Sequence, residues 1–204
     1  MQRMDLTGTW DFLDVPLSKK QYTNWTVAEL NQYVESPVFQ RKIGPGRSWR
    51  PARVPGDNIQ DLLRHKRIAD PFYGMNAEKL KWTEECLWVY RRRFMAPKGL
   101  EGRADLAFDG LDTFTTIFLN GQVIGRSDNM HRPWRFGVGS RLRLGEVNEL
   151  LVVFHPWQIH TRGKSVKKQW APFCKERVWM RKAQMESGLI NRPLFTSTLH
   201  RHFG

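Results

Sequence analysis

Residues 109–125 read DGLDTFTTIFLNGQVIG. The run is dense in β-branched and aromatic residues and is interrupted once, by Asn120-Gly121. Both central positions of a two-residue type I′ turn need positive φ, and Asn-Gly supplies it readily. A turn centred there sets Leu119 opposite Gln122, Phe118 opposite Val123 and Ile117 opposite Ile124. Side chains alternate between faces along a strand, so Phe118 and Val123 fall on one face and Ile117 and Ile124 on the other. Both faces are apolar. The expectation is an inner strand pair of a layered β structure, covered on both sides.

The flanking sequence continues this pattern. Residues 6–12 alternate apolar with small or polar side chains, and residues 87–94, 104–108, 141–144 and 149–154 also read as strands. Gly145 and Asn148 separate the last two. Helix signals are fewer. Thr26 and Glu29 form a capping-box pattern, with Val27, Leu30 and Val34 on one helical face. Asp57 can cap a second short helix carrying Ile59, Leu62 and Leu63, which ends where His65, Lys66 and Arg67 suit the helix dipole. The remainder of residues 14–48 is less regular and closes at Gly44-Pro45-Gly46. Short strands divided by Gly, Pro, Asn and Asp point to an antiparallel sandwich or jelly roll.

Composition sets the outer limits. A chain of 204 residues suits one domain, and 40% hydrophobic content with nine Trp and twelve Phe is enough for a core. No apolar run reaches the roughly 18 residues a membrane helix needs. The N-terminus lacks an apolar run before a small-residue cleavage site, so a cytoplasmic location is expected. Cys86 and Cys174 then read as free thiols. The net charge of +13 raises a nucleic-acid partner as one reading. The excess sits in residues 41–67 and 160–204, however, and the body between and around them is close to neutral.

A series of blocks then appears in a fixed order. They are WRPARVPGD (49–57), IADPFYGMN (68–76), WTEE (82–85), WVYRRRF (88–94), FDGLDT (108–113), LNG (119–121), NMHRPWRF (129–136) and RKAQ (181–184). Together they resemble the N-terminal sugar-binding domain of β-mannosidases, within the β-galactosidase-like glycoside hydrolases that remove terminal β-mannosyl residues. The resemblance spans residues 5–12 and 49–184. It implies a galactose-binding-like, jelly-roll β-sandwich with one or two short helices, over residues 1–184, followed by a diverged tail at 185–204. It also implies partner domains in a full enzyme, an immunoglobulin-like domain and a TIM barrel, with a β-mannoside substrate and no cofactor. In that family the acid/base and nucleophile glutamates lie on the barrel. The family also continues from its Arg-Lys-Ala-Gln into Gly-Trp-Asp-Trp-Gly-Pro, whose aspartate reaches the mannose. Aligning Gly188 and Pro193 with that motif puts Ile190 where the aspartate belongs, and Ile cannot accept a hydrogen bond from a sugar hydroxyl.

The residues themselves nominate a binding site rather than a catalytic one. A retaining glycosidase needs two carboxyls about 5–5.5 Å apart. Glu84 and Glu85 are adjacent, and in an extended segment they face opposite ways. The loop at 130–134 places an aromatic plate beside a cation, and such groups line saccharide sites. Arg132 and Trp134 are therefore sugar-binding or interdomain candidates, with Arg181 as a third. The competing reading puts Trp134 in the core and pairs Arg132 with a carboxylate. His155 and His160 bracket Pro156, and His200 and His202 sit in the tail, without carboxylate or thiol partners at metal spacing, so no metal is expected. The functional expectation is a non-catalytic accessory domain of a β-mannosidase-like hydrolase. The alternatives are a stand-alone carbohydrate-binding module and a basic nucleic-acid-binding domain.

Overall fold

The computed structural model describes residues 3–99, 103–162 and 195–202. Its strands are β1 (Arg3–Asp5), β2 (Gly8–Pro16), β3 (Arg50–Val54), β4 (Cys86–Met95), β5 (Arg103–Leu111), β6 (Thr115–Leu119), β7 (Gln122–Ser127), β8 (Trp134–Gly137), β9 (Val147–Phe154) and β10 (Phe195–His202). They form two antiparallel sheets, one of six strands in the order β3-β2-β4-β9-β6-β7 and one of four in the order β1-β10-β5-β8. The expected antiparallel β-sandwich is present. Arg181, Cys174 and Ile190 lie outside the described residues, as does most of the expected tail. Within that tail, β10 runs between β1 and β5.

Strand alternation creates two cores on one sheet. Trp10, Phe12, Trp88, Tyr90, Leu150, Val152, Phe154 and Ile117 point into the sandwich, where they meet Leu106 and Phe108 of β5. Their odd-numbered or even-numbered neighbours Leu13, Val15, Leu87, Val89, Leu151, Val153 and Phe118 form a second cluster on the outer face. Burying each such side chain contributes roughly 1.5–3 kcal/mol. A sheet apolar on both faces must be covered twice, and helices supply the second cover.

Those helices are α1 (Lys19–Asn24), α2 (Val27–Glu35) and α3 (Pro37–Ile43); α2 is the helix expected from the Thr26 capping box, whereas α1 and α3 lie in the remainder of 14–48, which was expected to be less regular. Each begins at a hydroxyl cap. Ser18, Thr26 and Ser36 accept from the backbone N–H of Gln21, Glu29 and Phe39, which satisfies donors that a helix start leaves free. Leu30, Val34, Phe39 and Ile43 then pack on the outer face of the sheet. With α4 (Asn58–Arg64) and α5 (Trp157–Thr161), the described residues hold five α-helices where one or two were expected. The α4 cap is the expected one, with Asp57 Oδ1 accepting from Gln60 N at 2.9 Å.

Four local expectations are corrected. The Asn120-Gly121 turn forms with both φ values positive, and Leu119↔Gln122 and Phe118↔Val123 pair as expected. A bulge then sets Ile117 opposite Gly125 instead of Ile124. A Cβ on Gly125 would overlap the Phe136 ring, so glycine at this position lets β8 approach the hairpin. β6 is buried on both faces, but β7 is the sheet's edge strand and is half-exposed. Residues 6–12 are not one strand. Asp5 accepts from Thr7 N and Thr7 Oγ1 at 2.9 and 2.8 Å, and that turn sends β1 and β2 to different sheets. Residues 141–144 are not a strand either, because Asn120 and Asn148 side chains take their backbone groups.

Candidate functional site

A cleft of about 750 Å³ opens where the β6–β7 hairpin, the end of β9, α5 and the loop before β8 converge beside α2. Its geometry begins at Asn129. The Asn129 side chain accepts from His131 N at 2.8 Å, and its carbonyl accepts from the Trp134 indole N–H at 2.9 Å. This double hold fixes the loop and orients the indole. Trp134 lies parallel to Phe136, with centroids 6.1 Å apart, at the edge of the sandwich core. The Arg132 guanidinium sits 3.7 Å from the centre of the Trp134 ring. A cation at that distance is attracted by the ring's negative face.

The opposite wall is built on histidines. His155 Nδ1 and His160 Nε2 are 3.0 Å apart, and His155 Nε2 lies 3.1 Å from Thr116 Oγ1. His160 also stacks on Phe114 at 4.1 Å with the rings nearly parallel. His155 N donates to the Phe114 carbonyl, which fixes the chain where it leaves β9. Burial holds the His155 imidazole well below its ordinary pKa, and the electrostatic influence of neighbouring His160 and of the Arg126 guanidinium adds to the effect. At neutral pH the ring is uncharged. Deeper in the cleft, Ser127 donates to the Thr113 carbonyl at 2.7 Å, so the Thr115 hydroxyl is the donor in its 2.8 Å bond to Ser127. Arg126 pairs with Glu35 of α2. Among the described residues the buried Asn31 Oδ1 nearby has no hydrogen-bond partner.

The fold thus brings two of the three candidate residues, Arg132 and Trp134, to one cleft wall, whereas Arg181 lies outside the described residues. Trp134 is half-buried and packs at the core's edge. Among the described residues Arg132 makes its contact by stacking, not by an ion pair. Sequence reasoning missed Phe114, Asp128 and the contact between His155 and His160. The i,i+5 spacing across Pro156 was the available signal, since a proline followed by one helical turn can fold the second ring back on the first.

The chemistry available here is recognition. Among the described residues that line the cleft Asp128 is the one carboxylate, so these residues supply no acid/base pair of the kind glycoside hydrolysis needs. Glu84 and Glu85 close the 3₁₀ helix Asn76–Glu85, and Glu84 accepts from Gln158 Nε2 at 2.6 Å. Among the described residues no three His, Cys, Asp or Glu side chains gather as a metal site. A second hollow of about 460 Å³ lies by Trp49 and the Gly44-Pro45-Gly46 turn. Two of its three described arginines are engaged by charge or ring, Arg91 with Asp11 and the Trp49 ring and Arg93 with Glu149, and Arg47 donates to the Arg41 carbonyl at 3.3 Å.

Comparison with known proteins bears out the family resemblance of the N-terminal region. Residues 25–194 match the family described as glycosyl hydrolase 2 galactose-binding domain-like. β-Mannosidase B of Thermothelomyces thermophilus is 44% identical over 118 residues, which is 57% of this chain and 14% of that protein. β-Mannosidase B of Aspergillus flavus is 33% identical over 181 residues, covering 84% of this chain and 21% of that protein. Among solved structures, the β-D-mannosidase of Dictyoglomus thermophilum superposes with a TM-score of 0.66 at 26% identity. That superposition takes in 98% of this chain and 23% of the other. The chain therefore spans between about a seventh and a fifth of the length of these curated relatives.

Proposed function

The chain belongs to the glycosyl hydrolase 2 galactose-binding domain-like family, and we propose that it serves a β-mannosidase-like glycoside hydrolase as a non-catalytic, saccharide-facing accessory domain. The observation that carries this reading is the cleft. It joins an oriented indole, a stacked guanidinium and hydroxyl-bearing walls, which suit the C–H face and the hydroxyls of a pyranose, around a single carboxylate among the described residues. The similarity to β-mannosidases supports β-mannosides as the substrate class of the longer protein. The bond-breaking carboxyl pair then belongs to another part of that protein, a TIM barrel packed against this domain and an immunoglobulin-like one. The cytoplasm is its proposed location, which fractionation of the source cells checks.

The test is direct. The purified chain mixed with p-nitrophenyl β-mannoside gives no turnover on its own. Hydrolysis that a mannosidase inhibitor suppresses would overturn the non-catalytic assignment. The same cleft also favours a second reading, a stand-alone carbohydrate-binding module. Under that reading mannose alone gives a saturable calorimetric signal that Trp134→Ala removes.

A further inference from the structure

Two oppositely charged side chains line the cleft without engaging each other. Asp128 and Arg132 both border it, and both are exposed. Among the described residues neither forms an ion pair or a side-chain hydrogen bond, whereas the cleft's other arginine, Arg126, is held by Glu35. Neither is loosely placed. Asp128 stands between two anchored neighbours. Buried Ser127 donates to the Thr113 carbonyl at 2.7 Å, and Asn129 accepts from His131 N at 2.8 Å and from the Trp134 indole at 2.9 Å. Arg132 lies over the Trp134 ring at 3.7 Å from its centre. A guanidinium held by its face keeps its fork of N–H donors for a partner at its edge. A carboxylate and a guanidinium within reach of one another ordinarily pair. Here the anchored backbone keeps them apart and turns both toward one cleft.

Hydrogen-bonding rules narrow what these two groups can share. An ionised carboxylate only accepts, and a guanidinium only donates. An anion would suit Arg132 and be repelled by Asp128, and a cation would meet the reverse. A hydroxyl both donates and accepts. Two adjacent hydroxyls can therefore give their hydrogens to one carboxylate while their oxygens accept from the guanidinium. We propose that Asp128 and Arg132 together read a vicinal diol of an uncharged pyranoside, and that this pair sets which sugars the cleft takes. A protein surface laid over the cleft would need a cation for Asp128 and an anion for Arg132, or would bury both unpaired at considerable cost. A sugar diol serves both through one small group, which a cleft of about 750 Å³ admits. Because the anchors are already in place, binding orders little of the chain. The inference rests on reading the cleft as saccharide-facing, and it adds the feature of the ligand that is recognised.

In a methyl β-mannoside the 3-hydroxyl belongs to every vicinal pair, and the 6-hydroxyl belongs to none. The Trp134 indole signal of the isotope-labelled full chain follows binding of each derivative by nuclear magnetic resonance. Methyl β-mannoside shifts it saturably, and methyl 6-deoxy-β-mannoside does so with similar affinity. Methyl 3-deoxy-β-mannoside binds about tenfold to a hundredfold more weakly, the loss expected for hydrogen bonds to charged groups. In Asp128→Asn the parent mannoside weakens by a similar factor, and the difference between it and the 3-deoxy sugar shrinks. Arg132→Lys keeps the charge but loses the planar fork, and it weakens the parent mannoside as well. Both substitutions are on exposed side chains, and an unchanged melting temperature verifies the fold. Equal affinities for the parent and 3-deoxy sugars in the wild type would overturn the proposal while leaving the cleft a saccharide site. Tighter binding of methyl β-mannuronoside than of the mannoside would make Arg132 an anion site acting alone, and would overturn it equally. If no mannoside moves the indole signal, the diol proposal falls, and the non-catalytic assignment still stands or falls on the p-nitrophenyl assay.

Discussion

At neutral pH His155 carries no charge, since its buried ring is held between Thr116 and His160 and faces the positive Arg126. In the unfolded chain the same imidazole titrates near its ordinary value of about 6.5. Its folded-state pKa lies lower, so between the two values the unfolded state binds more protons. The stabilisation is therefore complete above the unfolded pKa and is lost as pH falls toward the folded one. Urea unfolding is expected to show stability falling below about pH 6.5, with this one group adding a slope of at most about 1.4 kcal/mol per pH unit. His155→Gln should flatten that part of the profile, and equal profiles for the two proteins would refute the assignment. Why the sequence disclosed Arg132 and Trp134 but not this pair is a matter of distance along the chain. A cation two positions from an indole is visible as text. The histidine wall needs β6, β9 and α5 brought together, and Phe114 contributes from 46 positions before His160.

Among the elements, the hairpin shows where local rules suffice and where they stop. The Asn120-Gly121 turn was legible because its requirement for positive φ is local. The bulge at Gly125 was not, because its cause is the Phe136 ring of another strand. The missing strand at 141–144 has a similar origin. Asn148 is fully buried, and its side chain accepts from Arg143 N at 2.9 Å and donates to the carbonyls of Arg143 and Glu146. Asn120 joins it, donating to Asn148 Oδ1 and to the Arg141 carbonyl at 2.8 Å each. Side-chain amides thus replace a ladder that alternation alone predicted. Asn148→Ala strips these partners from groups that water cannot easily reach. It should cost roughly 2–4 kcal/mol, more than a single neutral hydrogen bond, measured as a lowered denaturation midpoint. A loss below that of an ordinary surface substitution would mean that water restores the lost bonds. The helices α1–α3 were only partly legible. The Thr26 cap stood out through its Glu29 partner, while Ser18 works with Gln21 and Ser36 with Pro37 over short, weakly periodic segments.

At the scale of the molecule, one sheet carries both cores. Leu87 and Val89 face the helical cap while Trp88 and Tyr90, between and beside them on β4, face the sandwich. Neither layer can lose its packing without exposing one face of the strands that hold the other. Two cations tie the cap down further. Arg162, just after α5, donates to the carbonyls of Trp25 and Tyr22 at 3.0 and 2.5 Å, and Arg126 of β7 pairs with Glu35 of α2. The cleft lies along this seam, bounded by α2 on one side and by the hairpin, β9 and α5 on the other, so its shape depends on both layers. Cap and sandwich should consequently unfold together. The far-ultraviolet helix signal and the near-ultraviolet aromatic signal are expected to fall at one denaturant midpoint, as in a two-state transition. Phe39, fully buried in the cap cluster, provides the perturbation. Phe39→Ala leaves a cavity costing about 3–5 kcal/mol, and both signals should shift by the same amount. A variant whose helix signal melts early while the aromatic signal keeps its wild-type midpoint would show that the helical cap is an independent layer resting on the sandwich, and that the cleft can open without unfolding the sheet.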